Sequence, residues 1–271
     1  MTKSNDTPSF DENEKANSNE RVSNIGVARS LIDTIALPGE AFKEIDRRPT
    51  WLAPIIIAAL AMMAGNAIYY WRVNPNWEQR VRARVEQHRI TTGQGMTPEQ
   101  VEKQVLFAKT MGRLFIMLPA IITPAFCLIV GGFYFVGFGI AFLSAPPYKK
   151  ILSVVAWSEA ATRVVAALIL ILVLIVVDKE KLQGVNTTFS SIVLVNLGAF
   201  LPSNVSPAIK SVASSLDIFV VWFLILLTIG FADITEAQAK KITVWKSGAL
   251  VFGAWAAWVL IKAGMALVFG Y

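Results

Sequence analysis

Ser153–Val177 reads SVVAWSEAATRVVAALILILVLIVV, 25 residues with only Glu159 and Arg163 ionisable among them. At about 1.5 Å per residue it makes a helix about 37 Å long, more than the ~30 Å of hydrocarbon a bilayer presents. Four further apolar stretches flank it, at about 51–71, 114–143, 216–234 and 247–269. Together they predict an all-α integral membrane protein, a five-span transmembrane helical bundle. Residues 25–271 would form the membrane domain and residues 1–24 a polar, disordered tail without an apolar signal segment.

The composition agrees with that class. Charged residues make up 16% of the 271, against the ~25% usual in soluble chains, and mean hydropathy is +0.54. Lipid-facing surface cannot carry solvated charge, which accounts for the deficit. The net charge of +6 then points to an anionic membrane surface and not to nucleic acid, since basic residues crowd the flanks of the spans. Cys127 and His88 are the only cysteine and histidine, which excludes an intrachain disulfide and argues against a His/Cys metal site. No phosphate loop, nucleophile elbow or paired-carboxylate motif occurs, so neither a catalytic residue nor a cofactor is expected.

Ahead of the first span, Ile25, Ala28, Leu31, Ile32 and Ile35 recur at helical spacing. Beyond Pro38-Gly39, a second short piece sets Ala41, Phe42 and Ile45 against Lys43, Glu44 and Asp46. Both are too short to cross. They read as amphipathic helices on the membrane surface, or as packing elements over the membrane domain. Arg47-Arg48-Pro49-Thr50-Trp51 marks the boundary, and Tyr69-Tyr70-Trp71-Arg72 closes the first span with an aromatic belt and a basic stop.

Residues 72–109 are the largest polar connection. Trp77, Val81 and Val85 fall at i, i+4 and i+8 among Arg80, Arg82, Arg84 and Arg89, a basic amphipathic helix and a candidate membrane-surface patch. Thr97-Pro98-Glu99-Gln100 has the pattern of a capping box that opens another helix, expected to run unbroken into the second span. Pro119 and Pro124 should kink or tilt that span. Phe189–Leu201 is apolar but short, as a re-entrant or interfacial segment would be. The short loops carrying Lys149, Lys150, Lys240, Lys241 and Lys246, with Lys43, Arg47 and Arg48, favour a cytoplasmic N-terminus, while the arginine-rich first connection argues the other way.

This ordering resembles the Yip domain family, the Ypt/Rab-GTPase-interacting proteins, in its bacterial branch. The residues that carry the likeness are Pro38-Gly39-Glu40-Ala41-Phe42-Lys43-Glu44-Ile45, Pro49-Thr50-Trp51-Leu52-Ala53-Pro54, and Leu216-Asp217-Ile218-Phe219-Val220-Val221-Trp222 running to Gly230. The resemblance covers about 31–269. It implies a five-span fold with a cytosolic N-terminus and, for a bacterial member, the inner membrane. Eukaryotic members act in membrane trafficking by binding prenylated small GTPases and each other; for bacterial members the resemblance implies a fold and no activity.

Charged groups inside spans cost several kcal/mol and are functional candidates by default. Glu159 and Arg163 stand four apart, acid first, the order that favours a same-helix pair. They either neutralise one another or form a polar site in the bundle. Asp217 and Lys262 both lie about 23 Å from the loop joining the last two spans, which predicts an interhelical salt bridge or near contact; the alternative is that each snorkels to the interface. Asn66 and Asn196 read as polar glue between helices. The sequence therefore favours a non-enzymatic membrane-organising or partner-binding protein. Its partners would be the bilayer and other membrane proteins or further copies of itself. A small-solute or ion transporter with a polar site around Glu159 and Arg163 is the alternative.

Overall fold

The computed structural model describes residues 26–93, 95–178, 196–202, 205–235 and 242–269. The tail at 1–24 and the 189–195 part of the ambiguous apolar segment lie outside them. The described residues are helices joined by short turns and connections, with an isolated antiparallel bridge between Asn196 and Asp217. Helix α1 covers 26–36, α2 Pro38–Arg47, α3 Leu52–Val73, α4 Trp77–Thr92 and α5 Pro98–Leu114. Then come α6 Pro119–Phe142, α7 Tyr148–Val176, a 3-10 turn Leu197–Phe200, α8 Pro207–Ser215, α9 Ile218–Asp233 and α10 Val244–Phe269.

Among the described residues four helices, α3, α6, α7 and α10, are long and apolar enough to cross a membrane. Their outer faces are apolar as well: Ile129, Phe133 and Ile140 on α6, Leu168, Leu172 and Ile175 on α7, and Leu260 and Leu267 on α10 are all exposed. A water-facing surface does not carry an apolar band of that extent, whereas a lipid-facing one requires it.

Helix α7 sits at the centre. Every residue from Ile151 to Thr162 is buried, so this half of the helix has protein on all sides. Helices α3, α6 and α9 cover most of its circumference, and the short α2 packs on both α7 and α9. Phe42 is fully buried there. It lies against Gly230 of α9: a Cβ built on Gly230 would stand 3.1 Å from the Phe42 ring and 2.5 Å from Val154 of α7. Only glycine leaves room for both. At the end of α2, Asp46 accepts a 2.6 Å bond from Lys150 Nζ, and next to it Trp157 Nε1 donates to Thr50 Oγ1 at 3.2 Å. Of the two readings open for the N-terminal pieces, α2 is a packing element of the bundle. Val27, Leu31 and Ile35 of α1 lie partly buried against the same core, though Ile32 is exposed.

Three expectations need correction. The helix opened by the capping box does not run unbroken into the second span. It ends at Leu114, and a turn intervenes before α6. Pro119 is the reason. It has no N–H, so the Phe115 carbonyl loses its i+4 donor. Asn66 of α3 replaces that donor, its Nδ2 lying 3.1 Å from Phe115 O. The fourth stretch, expected at 216–234, holds a helix of only 16 residues, α9, about 24 Å long. Helix α10 packs along both α9 and α8, so its opposing arm is a helix broken at Leu216–Asp217. The third span begins earlier than expected, at Tyr148.

The contacts also sort the chain into two ends. Helix α2 meets the start of α7 and the last turn of α9. At the other end the Arg72 Nε at the close of α3 donates to Leu174 O near the close of α7, 3.2 Å away. The guanidinium thus satisfies one of the orphan carbonyls of a helix terminus. The α4–α5 pair follows Arg72 and lies at that second end.

Phe42→Ala should lower the unfolding free energy by about 3–5 kcal/mol, the range for deleting a large buried side chain. The exposed neighbour change Lys43→Ala should leave it unchanged, as read by denaturant titration in micelles.

Candidate functional site

The four charged side chains of the bundle are placed as follows. Arg163 Nε donates to Glu159 Oε1 at 2.6 Å along one face of α7. Glu159 is buried, while the Arg163 side chain is 39% exposed. Beside them the Thr162 hydroxyl donates to the Ser158 and Glu159 carbonyls, both 3.0 Å away. Asp217 and Lys262, for which the register predicts a salt bridge or near contact, form no ion pair. Asp217 caps α9, its Oδ1 accepting from the N–H groups of Phe219 at 2.7 Å and Val220 at 3.4 Å. Lys262 Nζ donates instead to Ser215 Oγ, 3.0 Å away, two residues before Asp217. The depth estimate was close. The helix break at Leu216 turned the carboxylate onto the next helix's N-terminus, where two backbone donors and the dipole hold it.

The arginine-rich connection is a helical hairpin. Asn76 Oδ1 caps α4 by accepting from the Gln79 N–H at 3.1 Å. The capping box of α5 is complete: the Thr97 N–H donates to Gln100 Oε1 at 2.9 Å, and the Gln100 N–H to Thr97 Oγ1 at 3.3 Å. Val81 and Val105 are buried between the two helices. Gly112 lets α5 approach the Trp77 ring, which a Cβ there would meet at 2.5 Å.

The hairpin divides its four arginines into two kinds. Arg82 and Arg89 face outward in ion pairs, with Glu78 at 3.0 Å and Glu86 at 2.6 Å. The Arg89 hydrogen bond holds the Glu86 carboxyl below its ordinary range. Arg80 and the exposed Arg84 both line a cleft of about 790 Å³ between α4, α5 and the last turns of α3. Arg80 is half-buried, its guanidinium 5.8 Å from the Trp77 ring centre and Nη1 3.4 Å from Tyr69 Oη. Arg84 and His88 stand one and two turns further along the same edge. The floor is apolar, formed by Val81, Val85, Phe107 and Met111, and Leu170 of α7 closes its inner end. Asn66, seven residues before the end of α3, also lines it, so the cleft reaches about 10 Å below the Val73 end of that helix. Among the described residues no three of His, Cys, Asp and Glu gather closely enough to hold a metal ion.

A family model, the Yip1 domain, matches residues 32–261. The chain belongs to the Yip1 domain family. No curated protein and no solved structure matches it.

Within this Yip1 domain the first motif that carries the resemblance meets the end of the last one. Phe42 of the first motif packs on Gly230, which ends the last one, and Thr50 of the second motif holds the Trp157 indole. Asp217 of the last motif starts α9. These motifs build the helix-packing core. The cleft, by contrast, belongs to the hairpin between the first two spans. The sequence had grouped all four arginines as one surface patch. Two spacings, had they been combined, would have separated them. Arg80, Arg84 and His88 recur every four residues along the edge beside Trp77, Val81 and Val85. Arg82 and Arg89 each have a glutamate three or four residues before them.

Neither Glu159 nor Arg163 lines the cleft, and Asn66 is engaged with the Phe115 carbonyl. Arg163→Ala would leave Glu159 as a buried charge without its cation and should destabilise the protein by about 3–5 kcal/mol. Glu159→Gln with Arg163→Gln should cost less than the sum of the two single changes. A double-mutant cycle of unfolding in micelles measures the difference.

Proposed function

We propose that this Yip1-domain protein is a non-enzymatic, membrane-organising factor of a bacterial inner membrane that holds a partner at its α4–α5 hairpin. The observation that carries this reading is the hairpin itself. It is paired chiefly within itself, at the end of the bundle away from α2, and is densely charged. Yet it exposes Ile90, Leu106 and Phe107. Helix α2, the other amphipathic candidate, has spent its apolar face inside the bundle. Exposed apolar side chains set among paired charges are what a protein–protein contact uses for its core and rim.

In this reading the chain crosses five times, α9 making the fourth crossing with α8 completing its length. The α2 end is cytoplasmic, because the short loops at that end carry Lys149, Lys150 and Lys246. The hairpin then stands on the opposite side. Its ion pairs Arg82–Glu78, Arg89–Glu86 and Lys103–Glu99 offset part of the positive charge that would otherwise oppose this orientation. Transport through a site at Glu159 and Arg163 is the less favoured reading, because the two are committed to each other.

Photo-reactive residues in place of Ile90 and Leu106 should capture the same partner chains in intact membranes, while one in place of Phe42 should react only within its own chain. Correct insertion with no adduct from either hairpin position would reject the proposal.

A further inference from the structure

We infer that the cleft between α3, α4 and α5 is a binding site for one anionic phospholipid. The phosphate would sit at Arg80 and Arg84 and one acyl chain along the apolar floor. The inference rests on the hairpin being the working surface of the protein, and it names a ligand for that surface.

Four observations point to this occupant. First is depth. The cleft begins beside Tyr69 and Tyr70 of the aromatic belt and descends along α3 to Asn66. Aromatic belts mark the headgroup level, so the mouth lies among headgroups and the floor among acyl chains. Second is the separation of polar from apolar. Arg80, Arg84 and His88 follow one edge of α4 at four-residue intervals, while Phe107 and Met111 of α5 line the opposite wall. A molecule with an anionic head and a hydrocarbon tail matches both halves at once. Third is charge. Glu78 and Glu86 are taken up by Arg82 and Arg89 on the outer face. Among the described residues Arg84 makes no ion pair, and Arg80 is held by a phenol and an indole ring, neither of which neutralises it. Two planar guanidinium groups suit the oxygens of a phosphodiester. Fourth is size. About 790 Å³ is within the range of small-molecule sites and too small for a helix of a second protein.

The test uses the full-length protein reconstituted in vesicles of equal phosphatidylglycerol and phosphatidylcholine with identical chains. The protein is then extracted, washed in detergent, and assayed for retained lipid per chain by mass spectrometry. Phosphatidylglycerol should be retained near one per chain, well above phosphatidylcholine. Arg80→Gln and Arg84→Gln should each lower that preference about five-fold, the equivalent of about 1 kcal/mol per cation near a membrane. Arg82→Gln and Arg89→Gln should leave it unchanged. Ala108→Trp, which fills the cleft and keeps both arginines, should abolish retention of either lipid. Inorganic phosphate or a free fatty acid added to the wash should not displace the lipid.

Equal retention of the two lipids would overturn the inference. So would an equal loss in the Arg82 and Arg89 variants, which would mean only diffuse surface charge. Displacement by phosphate or by fatty acid would assign the cleft to that simpler ligand. Because the assay contains no partner protein, its failure leaves the crosslinking result at Ile90 and Leu106 independent.

Discussion

From Ile151 to Thr162 helix α7 has no face left for lipid. A helix buried all round must be enclosed by neighbours on every side, and side chains must fill the space between them at the density of a protein interior. Long spans supply most of that enclosure. The remaining gap, beside Val154 and Gly230, is closed by the Phe42 ring of a ten-residue helix that never crosses the membrane. The lengths and positions of the other elements follow. Helix α2 must end near Lys150, so that Asp46 can meet it, and α9 must present a glycine where the ring arrives. Glu159 can be buried because its own helix supplies Arg163 one turn later.

The second demand is that no backbone polar group be stranded where water is absent. In hydrocarbon an unsatisfied carbonyl or amide costs several kcal/mol. At several places among the described residues a side chain meets that need. Asn66 donates to the carbonyl that Pro119 leaves without a partner, and Arg72 donates to the end of α7. Asp217 accepts from the first amides of α9, and Ser247 Oγ of α10 donates to the Thr228 carbonyl across the hairpin at 2.8 Å. Asn66, Arg72, Asp217 and Ser247 are occupied by this duty. That weakens any reading in which they line a pathway for solutes.

Much of this was legible in the sequence, and what was not has a physical cause. Span positions came from apolar length. The Thr97–Gln100 capping box came from residue type and spacing, because both are local properties. The amphipathic α2 was legible as a helix, but not as part of the bundle. Its apolar face fits lipid or protein equally well, and the deciding residue, Gly230, is far along the chain. The break before α6 was foreshadowed by Pro119, read as a kink. A proline inside a helix and one at its first turn differ only in whether the preceding residues turn away. Asp217 and Lys262 illustrate the reverse case. Counting residues placed them at the same depth to within two positions, but counting cannot see the break at Leu216 that redirects the carboxylate. The cleft was hidden because a pocket is a property of three helices at once. Its edge was written in the spacing of Arg80, Arg84 and His88.

The two ends of the molecule thus carry different work. At the α2 end the apolar face of α2 itself, Ala41, Phe42 and Ile45, is sealed within the chain, while at the hairpin end apolar side chains and arginines stay available to something else. The docking of α2 is the half of that contrast on which the enclosure of α7 rests. The direct measurement is cross-linking between Asp46→Cys and Lys150→Cys by a short bifunctional thiol reagent. It is done in native membranes, in a chain whose buried Cys127 has been replaced by alanine. Docked as described, the two positions should link within one chain in high yield, and linking should vanish when Phe42 is also changed to alanine. If both cysteines instead react singly with aqueous maleimide and never link, α2 lies free on the membrane surface, and the enclosure of α7 as described here is wrong.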